Sequence, residues 1–267
     1  MDSAGTADKP APAKRSKAAT LGSGQQDGWT LDPQFSDDFQ EPSLNLTRWH
    51  VAPTSPSDWA GRQPALFYPP NVTVSGGELR ITDRRGNVPE MDSYPDRGYV
   101  GYTTGYIQTQ QFSGYGYYEI RAKPMPSGFC SAFWMTNADE PENITEIDIF
   151  EIGARAHGFE YADNMHAIVW STPEAHKQHW AVGSAWKSSW KLGDDFHTYG
   201  FDWSKDQLRW FVDGVLVRAQ QNTNWFFPMH IVFDSEPMLG WFGVWRDEDL
   251  PSTFEVQYLH VWRSHAP

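Results

Sequence analysis

Three carboxylates stand within six positions in the segment EIDIFE, at Glu146, Asp148 and Glu151. Acids grouped this tightly suit two kinds of chemistry. They can hold a hard cation through their oxygens, or they can share protons unequally, so that one serves as acid while another serves as base or nucleophile. The interleaved Ile147, Ile149, Phe150 and Ile152 make the segment a β-branched, aromatic strand with a buried side, where a charge needs a reason. A solvated strand face and a Ca²⁺ site stand beside catalysis as alternatives at this stage. In a regular strand Glu146 and Asp148 share one face and Glu151 points to the other. A β-bulge between Asp148 and Glu151 would add one residue and return Glu151 to the Glu146 face. Residues two apart are separated by roughly 6.5 to 7 Å at Cα, which lets Glu146 and Glu151 reach the roughly 5 to 5.5 Å at which retaining glycosidases pair a nucleophile with a proton donor. Asp148 between them helps keep a proton in the set, because like charges this close cannot all ionise.

The elements that must position these acids read as strands. From Trp29 onward, short alternating runs are separated by turn signals, and hardly any segment keeps a 3.6-residue apolar period for three turns. NVTV and ELRIT, joined by SGG, read as a hairpin. QLRWFV and VLVRA are joined by Asp213-Gly214, which tolerates the positive φ of a type I′ turn. GYYEIRAK, SAFWM, MHAIVW, HTYGFDW and TFEVQYLHVW supply further strands. At least a dozen strands without an internal repeat or linker predict an all-β jelly-roll sandwich of two antiparallel sheets. Residues 1–28, rich in Ala, Lys, Ser, Gly and Pro, read as a disordered tail or cloning remnant, and 29–267 as a single domain.

Composition narrows the partners. The 267-residue chain carries a formal net charge of −13, and 39% of it is hydrophobic, enough for a substantial core. Such a body repels nucleic acid and anionic membranes, and a neutral or locally recognised ligand fits it better. It has no run of 18 apolar residues and no apolar leader at its start, so the sequence reads as soluble with no visible signal segment. The single cysteine, Cys130 in GFCSAFWM, reads as a small buried residue. Aromatic residues make up 15% of the chain and include 14 tryptophans, more than a core needs, so some rings are expected to face a ligand. His176 and His179 lack a third ligand nearby and read as a solvated loop, with no metal predicted there. The sequons at Asn45, Asn71 and Asn143 are taken as unmodified.

The stretch GYGYYEIRAKPMPSGFCSAFWM followed by TEIDIFEIG resembles glycoside hydrolase family 16. The likeness extends to FSDDF and LNLTRW, NVTVSGGELRI, the FDW strand with its WFVDG hairpin, and LPSTFEVQYLHVW, and covers roughly residues 29–263. It implies a jelly-roll with an open cleft on its concave sheet, Glu146 as nucleophile, Glu151 as acid/base and Asp148 as the residue assisting the nucleophile. It also implies that Trp134 stacks on a sugar and that His166 bonds either a sugar hydroxyl or the acids; core packing and a satisfied buried histidine are their alternatives. WAGRQPALFYPPNV and DSEPMLGWFG look like the branch that cuts red-algal galactans, the agarases, porphyranases and carrageenases. By that analogy Trp59, Arg62, Glu236 and Trp241 line the cleft, with Arg62 either binding a sulfate or a ring oxygen or salt-bridged in a loop. Gln257 stands where many relatives carry an aspartate that helps hold Ca²⁺, so a structural Ca²⁺ is doubtful and no cofactor is expected. The resemblance thus implies a monomeric endo-acting retaining hydrolase of agarose- or porphyran-type galactans, extracellular or periplasmic. The rivals are a carrageenan or furcellaran hydrolase, a β-1,3(1,4)-glucanase, and a noncatalytic lectin-like sandwich.

Overall fold

The structure, a computed structural model, describes residues 28–138, 143–171 and 179–265. The tail read over 1–28 falls outside these residues except for Gly28, as does His176. In chain order the strands are β1 (Trp29–Leu31), β2 (Trp49–Ala52), β3 (Ala65–Phe67), β4 (Val72–Ser75), β5 (Glu78–Arg85), β6 (Tyr102–Thr104), β7 (Tyr106–Thr109), β8 (Gly116–Lys123) and β9 (Cys130–Thr136). They continue with β10 (Ile144–Ile152), β11 (Ala162–Ser171), β12 (Trp180–Lys187), β13 (His197–Trp203), β14 (Gln207–Val212), β15 (Val215–Gln221), β16 (His230–Glu236) and β17 (Ser252–Ser264).

These strands form two sheets, as the alternation predicts. One has ten strands, in the order β15-β14-β13-β8-β17-β5-β6-β3, with β1 added on β17 and β4 on β5. The other has seven, in the order β12-β11-β10-β9-β16-β7-β2. Pairing is antiparallel except for the short β3–β6 pair, which is parallel. The predicted hairpins are β4–β5 and β14–β15, and Asp213 and Gly214 at the second turn take the positive φ values of 46° and 71° that a type I′ turn requires.

Side-chain alternation fills the space between the sheets. Phe133 and Met135 of β9, Ile231 and Phe233 of β16 and Ile107 of β7 point into one core with Trp49, Tyr199, Trp203, Trp210 and Trp225. The alternate residues of the same strands face outward, where they floor a cleft. Register places His50, Gln108, Val232, Trp134, Asp148, His166 and Gly183 in one row across all seven strands. Six interstrand steps make that row about 29 Å long. The cleft therefore crosses the strands rather than following one of them. Among the described residues no helix is long and apolar enough to cross a membrane.

Candidate active site

The parity of β10 is broken where the sequence requires it. Against β9, Glu146 pairs with Thr136 and Asp148 with Trp134, but Phe150 pairs with Phe133 and Glu151 with Ala132. Against β11 the register shifts by one between Asp148 and Glu151. Ile149 is thus the extra residue, and it lies in the core together with Ile147, Phe150 and Ile152. Glu146, Asp148 and Glu151 all face the cleft, lining a cavity of about 420 Å³ with Trp59, Arg62 and Trp134.

Each acid has its own surroundings. Glu151 Oε2 lies 2.8 Å from His166 Nδ1, and Asp148 Oδ2 lies 3.7 Å from the same nitrogen. His166 fits because its neighbour on β12 is Gly183, where a Cβ would stand 2.3 Å from the imidazole Cδ2. Glu146 Oε2 accepts a hydrogen bond from Trp170 Nε1 at 3.0 Å. Burial pushes Glu146 up to about 7; the Trp170 N–H opposes this, and the charge of Glu151 adds to it. Asp148, 3% exposed, is held well above the usual carboxylate range by burial and then by Glu146 and Glu151. Burial and the two neighbouring carboxylates therefore favour a proton on Asp148.

The other predicted residues gather along the same cleft. Trp59 is exposed and meets Trp134 edge-on at 6.1 Å, and Trp134 Nε1 donates to Asp234 Oδ1 at 3.2 Å. Arg62 donates through Nε and Nη2 to Glu236 Oε2 at 3.2 and 3.1 Å, so it is the salt-bridged arginine of the two alternatives. Burial pushes Glu236 up to about 7 against the opposing pull of Arg62. Trp241 lies edge-on to His166 at 5.4 Å and lines the cleft beyond the acids. Trp134 lines the cleft while packing against Ala52, Phe67, Tyr106 and Val232, and His166 bonds Glu151. Asn71 is 2% exposed and donates to Thr103 Oγ1 and Thr104 O, which fits the unmodified reading of its sequon. Cys130 is buried, as expected.

Sequence reasoning missed Trp170 and Asp234. Both were open to parity: Trp170 is four residues past His166 on β11, and Asp234 is two before Glu236 on β16, so each shares its neighbour's face. It also missed Asn164, which parity likewise offered two residues before His166, and Trp210 and Trp225, for which no local signal exists.

A family model, "Beta-porphyranase A-D, GH16 domain", matches residues 29–264. The chain belongs to glycoside hydrolase family 16. It is similar to the κ-carrageenase of Pseudoalteromonas carrageenovora, 26% identical over 271 residues, which cover 88% of this chain and 64% of the carrageenase. It is 30% identical over 205 residues to β-porphyranase B of Zobellia galactanivorans, covering 70% of this chain and 67% of that protein. The chain therefore spans about two thirds of the length of these relatives. The crystal structure of porphyranase B from Zobellia galactanivorans superposes with a TM-score of 0.73 at 22% identity, covering 93% of this chain and 98% of that one, a likeness of fold. A family 16 glycosidase sandwich and a galactanase-type relationship, both implied by the sequence motifs, stand on these matches.

Proposed function

We propose that this family 16 chain is an endo-acting retaining glycoside hydrolase that cleaves β-1,4-galactosidic bonds in red-algal galactans of agarose or porphyran type. The observation that carries the reading is the bulge of β10, which sets Glu146, Asp148 and Glu151 on one cleft floor beside exposed indoles. In the first step a Glu146 oxygen attacks the anomeric carbon, while Glu151 gives its proton to the departing glycosidic oxygen. The C–O bond breaks and a glycosyl ester on Glu146 forms. In the second step Glu151 takes a proton from water, the hydroxide attacks the same carbon, and Glu146 leaves as carboxylate. Asp148 donates its proton in a hydrogen bond to Glu146, which lowers that residue's basicity as a leaving group. His166, bonded to Glu151, orients the acid/base. The apolar C–H faces of galactose units stack on Trp59, Trp134 and Trp241, and a cleft about 29 Å across suits an internal stretch of polymer.

The charge of the cleft favours neutral sugar units next to the scissile bond. Among the described lining residues Arg62 is the one guanidinium, and it is paired with Glu236, while Asp58, Glu146, Asp148, Glu151, Asp234 and Glu236 are acids. A sulfate ester there would meet more negative than positive charge. The reaction runs on protons and needs no cofactor. Gln257, in the last strand, bonds Arg121 through its carbonyl oxygen and Glu78 through its amide, so its oxygen already faces a cation of the chain itself. Asp148, Glu151 and His166 do bring ligand atoms within 4.8 Å of one another, an arrangement able to hold a metal ion. A chelator is expected to leave turnover unchanged. The protein acts as a monomer outside the cell or in the periplasm, where such polymers are met.

Product analysis on agarose, porphyran, κ-carrageenan, laminarin and lichenan tests the reading, with even-numbered galactan oligosaccharides of retained anomeric configuration expected. Glu146→Gln is expected to lose at least ~10³-fold in turnover with polymer binding retained. Hydrolysis confined to laminarin or lichenan would replace the reading with a glucanase. Binding without turnover in both wild type and variant would replace it with a lectin.

A further inference from the structure

A bulge leaves main-chain groups without ladder partners, and a buried carbonyl in that state destabilises the geometry around it. In β10 the carbonyls of all three acids are met by side-chain donors from elsewhere in the chain. Trp210 Nε1, reaching across the core from β14 of the opposite sheet, donates to Asp148 O at 3.0 Å. Trp225 Nε1, from the segment between β15 and β16, donates to Glu146 O at 2.9 Å and to Ile168 O at 3.1 Å. Asn164 Nδ2, beside the bulge on β11, donates to Glu151 O at 2.9 Å.

The donors are themselves held. Both indoles are fully buried. The Arg218 guanidinium lies 4.4 Å from the centre of the Trp210 ring and donates to Met165 O and Val182 O, tying β15 to β11 and β12. The backbone of Trp225 is fixed at both ends: its N–H donates to Asn222 Oδ1 at 2.9 Å and its carbonyl accepts from Trp203 Nε1 at 2.8 Å. A phenylalanine would keep an aromatic ring in the interior, smaller and without a polar atom. Beyond that volume, which Trp262→Phe also removes, tryptophan at 210 and 225 adds one N–H each, aimed at the strand that carries the acids.

We propose that Trp210, Trp225 and Asn164 are positioning residues, a three-point clamp that fixes the backbone of Glu146, Asp148 and Glu151 and so sets the spacing of the two reacting carboxyl groups. This rests on the catalytic roles given under the proposed function. Because a displacement of about 1 Å at a reacting group can cost on the order of 100-fold in rate, loss of one donor is read in turnover before binding.

Trp210→Phe and Trp225→Phe test it, with Trp262→Phe as control, since Trp262 is also fully buried but its indole nitrogen has no hydrogen-bond partner among the described residues. The expected result is a fall of about tenfold in kcat for each clamp variant, with KM within about twofold of wild type and a displaced acid limb in the pH–rate profile. The control keeps its kcat and its profile whatever its melting temperature. Should Trp210→Phe fail to fold, Trp225→Phe and Asn164→Ser carry the comparison. Clamp variants with kcat and pH profile no different from the control, assayed well below melting, overturn the proposal. A wild type that hydrolyses no polysaccharide refutes the catalytic reading instead; carboxyl ¹³C titrations of Glu146 and Asp148 then decide the clamp, with unchanged titrations in Trp210→Phe counting against it.

Discussion

At the scale of single residues, the cleft stores ionisation energy. Glu146 has its pKa raised from an ordinary 4.5 to about 7, so in the folded protein it binds a proton that the unfolded chain has already released. Its contribution to stability is complete below about pH 4.5 and is lost as pH rises to about 7, with a size of about 1–3 kcal/mol. Glu146→Gln removes that penalty. The variant is expected to melt several degrees above wild type at pH 8 and at the same temperature near pH 4, which calorimetry at the two pH values checks. The same shift sets activity: attack requires ionised Glu146, so kcat/KM is expected to fall about tenfold per pH unit below roughly pH 7. Trp170 donates to the ionised form, so Trp170→Phe is expected to move that limb to higher pH, whereas an unmoved limb assigns it to another group.

At the scale of elements, the bulge governs more than which way Glu151 faces. Deleting Ile149 would give an unbulged strand in which alternation alone places the last glutamate on the Glu146 face, two positions past Asp148. What changes is the local twist and the along-strand separation of the glutamates. The deletion variant is therefore expected to unfold cooperatively at a lower temperature, having lost a buried isoleucine, and to lose at least ~100-fold in turnover. Near-normal activity would show that facing is enough. The bulge was legible because Glu146, Asp148 and Glu151 break parity inside a hydrophobic strand. Strands β8, β9, β11, β13 and β17 were legible from alternation or apolar content. Seven others were not read as strands, β12 and β16 among them: β12 is exposed along nearly its whole length as a sheet edge, and β16 is buried on both faces. Neither presents a period-two pattern for a reader to find. The Trp210 and Trp225 bonds span 62 and 79 residues, and nothing local to either tryptophan announces them.

At the scale of the whole molecule, the net charge of −13 and the acid-rich cleft bear on which polymer is taken. A neutral galactan meets this surface without long-range repulsion. A sulfated one is repelled until salt shortens the range to about 3 Å near 1 M. Between about 0.02 M and 0.5 M salt, kcat/KM on neutral agarose oligosaccharides is expected to change less than about twofold, while that on sulfated chains rises several-fold. Equal responses from the two substrates would mean that charge plays no part in selection.

The placement of the tryptophans has a spectroscopic consequence. Trp49, Trp203, Trp210, Trp225 and Trp262 are sealed in dry interior, whereas Trp59, Trp170 and Trp241 stand in solvent along the groove. Emission from the first set is expected to stay blue and unchanged on ligand binding. A shift toward shorter wavelength is therefore expected from the groove tryptophans when an oligosaccharide is titrated into inactive Glu146→Gln protein, so the protein reports its own occupancy without a dye.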